Sequence, residues 1–369
     1  MTPFNPSIFD PELHTMGSAL KEYVFQRVHQ CIQSPDREWR QIRIRGSLRR
    51  TPPALKAQWE TDRPARPFNF QRPTAVIDDD TIDLCCFPSQ SFVEHYRIVI
   101  AAYLYFKGKS DCSVPIPPAS TEPLETFQQS NLRVLGPTDI VIFGEVHCLP
   151  NLPPGRWWET PSESQETDDL FAWQKFTSPT GRTVTLLGCK EGLWGEAGSA
   201  IVHALKEFSG ISCALYVGKV GALAGEYTPN EYIATGNEAY FDKDTSVTWK
   251  SPLERSLIRF PEVATGRLVT VDSPLRETKG WLQDWKDTAT WVDCDTGHMA
   301  RAANEVGVEF GYLHIVSDNL AAKSNYGLSY EEIDGVKAKR NNLYKKMEGI
   351  IDVFISSWNS EADLSNSIH

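Results

Sequence analysis

Acidic, glycine and cysteine residues collect behind five short apolar runs of this chain. GEVHCLPN (144–151) follows DIVIF (139–143), GCKEG (188–192) follows TVTLL (183–187), and GKVGAL (218–223) follows CALYV (213–217). Asp293, Cys294 and Asp295 follow Trp291 and Val292, and Ser317, Asp318 and Asn319 follow YLHIV (312–316). Carboxylates so placed accept hydrogen bonds from hydroxyls or hold a proton, and glycines let backbone amides approach a bound molecule closely. Each piece also has a plain structural reading. A Gly-x-x-Gly turn serves tight packing, Asp295 caps a helix starting near Thr296, and Asp318 caps one through Asn319 and Leu320.

The elements that must hold these residues are legible as pattern. Apolar runs of four or five residues ending in Gly, Ser, Asp or Cys read as strands buried on both faces, here at 139–143, 183–187, 213–217, 268–271 and 312–316. Helical windows lie between and after them, at 196–208, 297–306 and 331–358. In the last, Ser329 and Glu332 stand at capping-box spacing, and Val336, Leu343, Met347, Ile350 and Phe354 run down one face. Strands alternating with helices predict an α/β fold, a mixed but mainly parallel sheet flanked by helices, with ligand groups at the strand C-termini.

Residues 1–135 read as an extension, 136–360 as the main domain and 361–369 as a tail. In the extension, Leu20, Val24, Val28 and Ile32 predict a helix over 18–32. Six arginines then fall between Arg37 and Arg50, around an Ile-Arg alternation typical of a half-buried strand. That segment is either a solvated strand face or an anion-binding surface. The prolines of 63–73 exclude helix and central strand, so the stretch reads as a linker. Trp157 and Trp158 read as packing of the extension on the sheet, and Asp78, Asp79 and Asp80 as a solvated turn with no metal.

Lys and Arg number 37 against 48 Asp and Glu, a net charge of −11, which disfavours nucleic acid and anionic membrane as partners. No stretch reaches the roughly 20 apolar residues of a membrane span, and residues 1–10 lack a signal-peptide layout, so the expected location is the cytoplasm. Eight scattered cysteines read as buried free thiols.

Taken in order, Val292-Asp293-Cys294-Asp295-Thr296, the helix after it, and Ile315-Val316-Ser317-Asp318 resemble the Val-Glu-Met-Glu and Ile-Ser-Asp motifs of the purine nucleoside phosphorylase and nucleosidase superfamily. That superfamily includes nucleosidases of methylthioadenosine and S-adenosylhomocysteine. Residues 218–233 are similar to its Gly-x-x-Gly-x-Leu turn and following strand, and the helix from 331 to its C-terminal helix. The resemblance implies a phosphorylase-like fold without a cofactor and a nucleoside-like small molecule as substrate. It implies Asp318 as the acid at the purine base, Asp295 at the ribose hydroxyls and Cys294 under the sugar. Cleaving an N-glycosidic bond builds positive charge on the sugar and negative charge on the base, so it needs an anion at one and a proton donor at the other. Burial, or the charge of Asp295, would have to raise Asp318 above its ordinary value for it to donate.

The chain departs from the family at its loops. The first, 144–151, carries no arginine for phosphate, which points to hydrolysis, with Glu145 or His147 activating water. Gly144, Gly192, Gly218, Gly221, Lys190, Ser317 and Arg276 complete the expected substrate-binding set. Two other readings stand beside this one. In the first, a repurposed enzyme performs different chemistry, with Arg43, Arg45 or Arg49 entering the pocket. In the second, a nucleoside-binding module has lost catalysis. The resemblance also implies a homo-oligomer, unless the extension occupies that interface.

Overall fold

A computed structural model of the protein describes residues 9–47, 57–58, 67–69, 73–109, 114, 122–152, 157, 170–322 and 333–358. Among the described residues the N-terminal part forms a four-stranded sheet in the order β1-β4-β3-β2, from β1 (Gln41–Gly46), β2 (Ala57–Gln58), β3 (Thr74–Asp78) and β4 (Thr81–Cys86). Helices α1 (Ala19–Phe25) and α2 (Gln30–Gln33) precede it, and α3 (Gln90–Phe106) and α4 (Pro123–Gln128) follow. The one helix predicted over 18–32 is therefore two. The chain leaves α1 after Phe25 and restarts where His29 Nδ1 accepts the amide of Cys31. Strand β1 alternates buried and half-buried residues as its Ile-Arg repeat predicts. Arg43 and Arg45 are engaged at home, both bonding the one carboxylate of Asp83 on β4. They do not enter a pocket of the main domain, and Arg49 lies outside the described residues. Asp79 sits at φ 51 in the turn between β3 and β4, with Asp80 paired to Arg40 at 3.1 Å.

The main sheet contains β5 (Ile140–Gly144), β6 (Phe171–Thr177), β7 (Thr183–Cys189), β8 (Cys213–Ala222), β9 (Ile233–Thr235), β10 (Glu238–Tyr240), β11 (Ser246–Thr248), β12 (Ala264–Thr265), β13 (Leu268–Thr270), β14 (Trp291–Asp293) and β15 (Glu309–Asn319). Its path is β11-β10-β13-β14-β8-β15-β9-β12, with β5 pairing β8 and β7, and β6 pairing β7. Pairs β5 with β7, β5 with β8, β8 with β15, β10 with β13, β13 with β14 and β9 with β12 are parallel. The fold is mixed α/β with a mainly parallel central sheet, as expected.

Strand β8 changes neighbours part-way. Its first half lies between β5 and β15, and its second half between β14 and β15. Having ladder partners on both sides, the strand continues to Ala222, so Gly218 and Gly221 stand within it and not in the loop the sequence predicts. Strand β15 likewise runs through Asn319, with a register shift between Val316 and Asp318 that bulges Ser317 out.

Helices α5 (Glu196–Ser209) and α8 (Thr296–Val306) cover one face and pack on each other. Both end on a glycine at φ 65, Gly210 and Gly307, the left-handed cap that only glycine enters without strain. Their core is continuous with Leu20, Ile42, Ile82 and Val99, so the N-terminal part is packed onto the main domain. Two short helices, α6 (Glu254–Leu257) and α7 (Lys279–Trp285), precede α8. On the other face α9 (Asp334–Ile355) sets Met347, Ile351 and Phe354 among Ile142, Leu215 and Leu313. Residues 329–332, including the predicted capping box, lie outside the described residues.

The proline-rich stretch does more than link. Phe68 is 2% exposed, and its ring fills the space beside Gly188, where a Cβ would stand 2.1 Å from it. Its ring stacks on Trp157 at 5.7 Å, and the Asn69 amide donates to the Cys189 carbonyl at 2.9 Å. The bend at 67–69, with Asn69 at φ 54, is neither helix nor strand but still presents a side chain for packing. Residues 63–66, 70–72 and Trp158 lie outside the described residues. No helix among the described residues is long and apolar enough to cross a membrane. Cys31, Cys85, Cys86, Cys148, Cys189, Cys213 and Cys294 are free thiols, and Cys112 is outside the described residues.

Candidate functional site

Strand β14 delivers Asp293 to the start of α8. Its carboxylate accepts the Thr270 hydroxyl at 3.2 Å, the Asp295 amide at 3.3 Å and the Thr296 amide at 3.2 Å. Asp293, not Asp295, is therefore the helix cap. Asp295 makes no capping bond and instead receives the hydroxyl of Tyr216, from β8, on Oδ2 at 2.5 Å. Burial, then the charge of Asp293, pushes the Asp295 carboxyl well above the carboxylate range, and burial also raises Asp293. Three donors already serve Asp293, so the pair keeps its negative charge there and its proton on Asp295. Burial and the charge of Asp295 push the Tyr216 phenol well up, which fixes it as a donor.

The bulge in β15 turns Asp318 onto the face shared by Val292 and Leu320. Asp318 pairs in register with Gly221, which pairs in turn with Val292. A Cβ on Gly221 would stand 3.3 Å from Asp318 Oδ2 and 2.9 Å from Val292 Cγ1, so the absent side chain is what lets the carboxylate lie there. The other carboxylate oxygen accepts the Ser317 hydroxyl at 2.7 Å. Among the described residues it is Asn319 Oδ1 that takes the amides of Ala321 and Ala322. Three strands abreast put Asp318 level with the end of β14, two strand spacings or about 10 Å away.

Cys294 separates Asp293 from Asp295 in the chain, and its thiol is pushed well up by burial and then by the charges of Glu277, Asp295, Asp293 and Asp272. Glu277 is 5% exposed, and burial and the charge of Asp318 raise its carboxyl well above the usual range. The sequence expectation gave the charge to Asp295 and the proton to Asp318; here burial and the charge of Asp293 lift Asp295 itself. Asp295 is lifted beside Asp293, and Glu277 is lifted by burial and the charge of Asp318.

At the end of β5, Gly144 adopts φ 98, and a Cβ there would strike the Val217 carbonyl at 2.2 Å and the Tyr216 ring at 2.7 Å. Glu145 follows, bonded by Lys219 Nζ at 2.9 Å and by the Tyr344 hydroxyl of α9. Burial alone would raise its carboxyl, but Lys219, His147 and the hydrogen bonds from Tyr344 and Lys219 outweigh that and hold it at about 2. Half-buried His147 lies edge-on to Phe68 at 5.8 Å. The Glu145 charge is felt by both Tyr216 and His314, which ties this loop to Asp295.

The remaining expected residues are scattered. Gly218 packs under His314 Nε2 and the Tyr216 ring, where a Cβ would meet them at 3.2 and 3.3 Å. Gly192 faces Phe92 of α3, and Lys190 is half-buried beyond β7, its amide on the Leu170 carbonyl. Arg276 is exposed, its guanidinium 3.6 Å from Glu94 and 3.8 Å from Asp272, outside the buried acids. Arg156 lies outside the described residues.

Sequence reasoning passed over Tyr216, Lys219, Glu277, His314 and Tyr344. Tyr216 and His314 sit inside apolar runs that read as core. Glu277 lies in the segment 273–278 from which the sequence reading takes only Arg276, and Tyr344 is brought in by its hydrogen bond to Glu145. His314 is fully buried, burial pushes it down to about 3, and Asp293 Oδ2 stands 4.0 Å from its Nδ1.

No family model and no curated protein matches the chain. The likeness is to solved structures. Arabidopsis thaliana 5′-methylthioadenosine nucleosidase is similar at 13% identity and a TM-score of 0.46, over 60% of this chain and 98% of that one. Campylobacter jejuni 5′-methylthioadenosine/S-adenosyl homocysteine nucleosidase is similar at 11% and 0.45, over 59% and 99%. Uridine phosphorylase from Vibrio fischeri is similar at 13% and 0.44, over 61% and 92%.

Proposed function

We propose that this protein hydrolyses the N-glycosidic bond of a purine nucleoside or a related metabolite. The observation that carries the reading is the acidic strand ends at one level of the sheet, Asp293 and Asp295 at the end of β14 and Asp318 in register with it across β8. Asp295 with Asp293 holds one proton and one charge beside the Tyr216 hydroxyl, and Asp318 stands near the buried carboxyl of Glu277. The Asp293–Asp295 pair supplies the anion that the developing sugar cation needs, with Asp295 and Tyr216 bonding its hydroxyls. Asp318 delivers a proton to the base as the bond breaks. Glu145, saturated by Lys219 and Tyr344, is a fixed anion that orients the first loop, and His147 takes the proton of the attacking water. Cys294 packs under the sugar, and Ser317 orients Asp318.

The test is incubation with adenosine, inosine, methylthioadenosine and S-adenosylhomocysteine, each with and without phosphate, measuring free base. Phosphate-independent release, lost in Asp318→Asn, is the expected result. Absence of base from every substrate refutes the reading, and tight calorimetric binding without turnover would identify a binding module.

A further inference from the structure

Helix α9 packs on the sheet through apolar side chains, yet three polar residues at four-residue spacing, Arg340, Tyr344 and Glu348, are buried along it. Positions i, i+4 and i+8 share one side of a helix, so the three form a row about 12 Å long. Burying such groups costs free energy unless each finds a partner. The partners lie in the loops that leave β5 and β8.

Two members of the row fasten the first loop at both of its ends. The Tyr344 hydroxyl donates to Glu145 Oε2. Glu348 accepts the Asn151 backbone amide on Oε1 and the Asn151 side-chain amide on Oε2, the latter at 3.0 Å. His147 lies between these fastenings. At the other end of the row, Arg340 Nε donates to Asn230 Oδ1 at 2.6 Å, and Lys339 beside it pairs with Glu231 at 2.6 Å. The Asn230 amide in turn donates to the Val316 carbonyl at 2.7 Å, and the Val316 amide donates to the Tyr232 carbonyl at 3.1 Å. Val316 is the residue of β15 at which the register shifts toward Asp318.

We propose that Arg340, Tyr344 and Glu348 are positioning residues: the row holds the loop carrying His147 in register with the bulge carrying Asp318. The inference rests on the glycosidase reading above, in which His147 serves the attacking water and Asp318 the leaving base within one turnover. The two residues follow or end different strands, β5 and β15, with β8 between them. Ladder bonds fix those strands, but the loop beyond β5 has no ladder of its own. A helix bonded to both ends of that loop and, through Asn230, to β15 sets the separation. Misplacing one such group by about 1 Å costs up to about 100-fold in rate.

The experiment has two arms. In the first, kcat and KM for base release are measured. Glu348→Ala, Tyr344→Phe and Arg340→Met are each expected to lower kcat about 10- to 100-fold with KM within about twofold. Glu348→Gln, which keeps one acceptor for Asn151, should recover part of the rate. Asn151→Ala, a change at an exposed residue that keeps its backbone bond to Glu348, should lose less. Because freeing either end already spoils the register, the double variant of Glu348→Ala with Arg340→Met should fall little below the worse single one. An unchanged kcat in Glu348→Ala, or in Asn151→Ala should the buried variant not fold, overturns the proposal, and so does strict multiplication of the two losses. The second arm, amide hydrogen exchange, needs no turnover. Residues 145–151 should exchange about 10-fold faster in Glu348→Ala and less so in Asn151→Ala, whereas Arg340→Met should quicken the Asn230 amide. Unchanged exchange of the loop in both variants overturns the row. If wild type releases no base, the first arm fails with the glycosidase reading while the second still decides whether α9 holds the two loops.

Discussion

Replacing Glu145 with glutamine measures how firmly the anion at the end of β5 is held. Its carboxyl is kept at about 2 in the folded protein, against an ordinary value of 4.5. A gap of between two and three pH units makes this ionisation worth about 3 kcal/mol of folding free energy near neutrality. Because the folded value lies below the unfolded one, the stabilisation is complete above about pH 4.5 and drains away as pH falls toward 2. By pH 3 about 2 kcal/mol of it is gone. Denaturant unfolding at several pH values from 7 to 3, on wild type and Glu145→Gln, isolates the effect, since the other carboxylates titrate in both proteins. Wild type should lose about 2 kcal/mol relative to the variant across that range. A stability difference that stays constant with pH would refute the Lys219 and Tyr344 lock.

Tyr216→Phe leaves the buried Asp295 carboxyl without its donor, which should cost about 1–3 kcal/mol in thermal stability and slow base release about 10- to 100-fold. An unchanged rate would remove Tyr216 from the site. Gly188→Ala forces a Cβ into the Phe68 ring and should destabilise by about 1–3 kcal/mol, with the loss partly relieved in the double variant with Phe68→Ala. Strict additivity in that cycle would show that the ring does not sit where Gly188 leaves room.

The buried strands and long helices were legible because their apolar periodicity is a local property. The runs at 183–187 and 312–316 lie within β7 and β15, that at 139–143 falls in β5 but for its first residue, and the window 196–208 lies within α5. Where strands end was not legible. Gly218 and Gly221 look like a turn in sequence, but β14 and β15 flank β8 there and carry it on to Ala222.

The acids themselves were visible by type and position, since Asp293, Asp295 and Asp318 each close an apolar run. Their roles were not. A carboxyl's proton affinity depends on burial and on charges across space, and the partners that set it come from distant parts of the chain. Tyr216 lies 79 positions from Asp295, and Thr15 reaches Glu277 across 262. The sequence by itself determined the α/β class and the acidic strand ends, because hydrophobic period and residue type are written locally. Which acid keeps a proton, and that the first residues of the chain clasp the loop carrying Glu277, only tertiary packing decided, because desolvation and Coulomb forces act between neighbours in space.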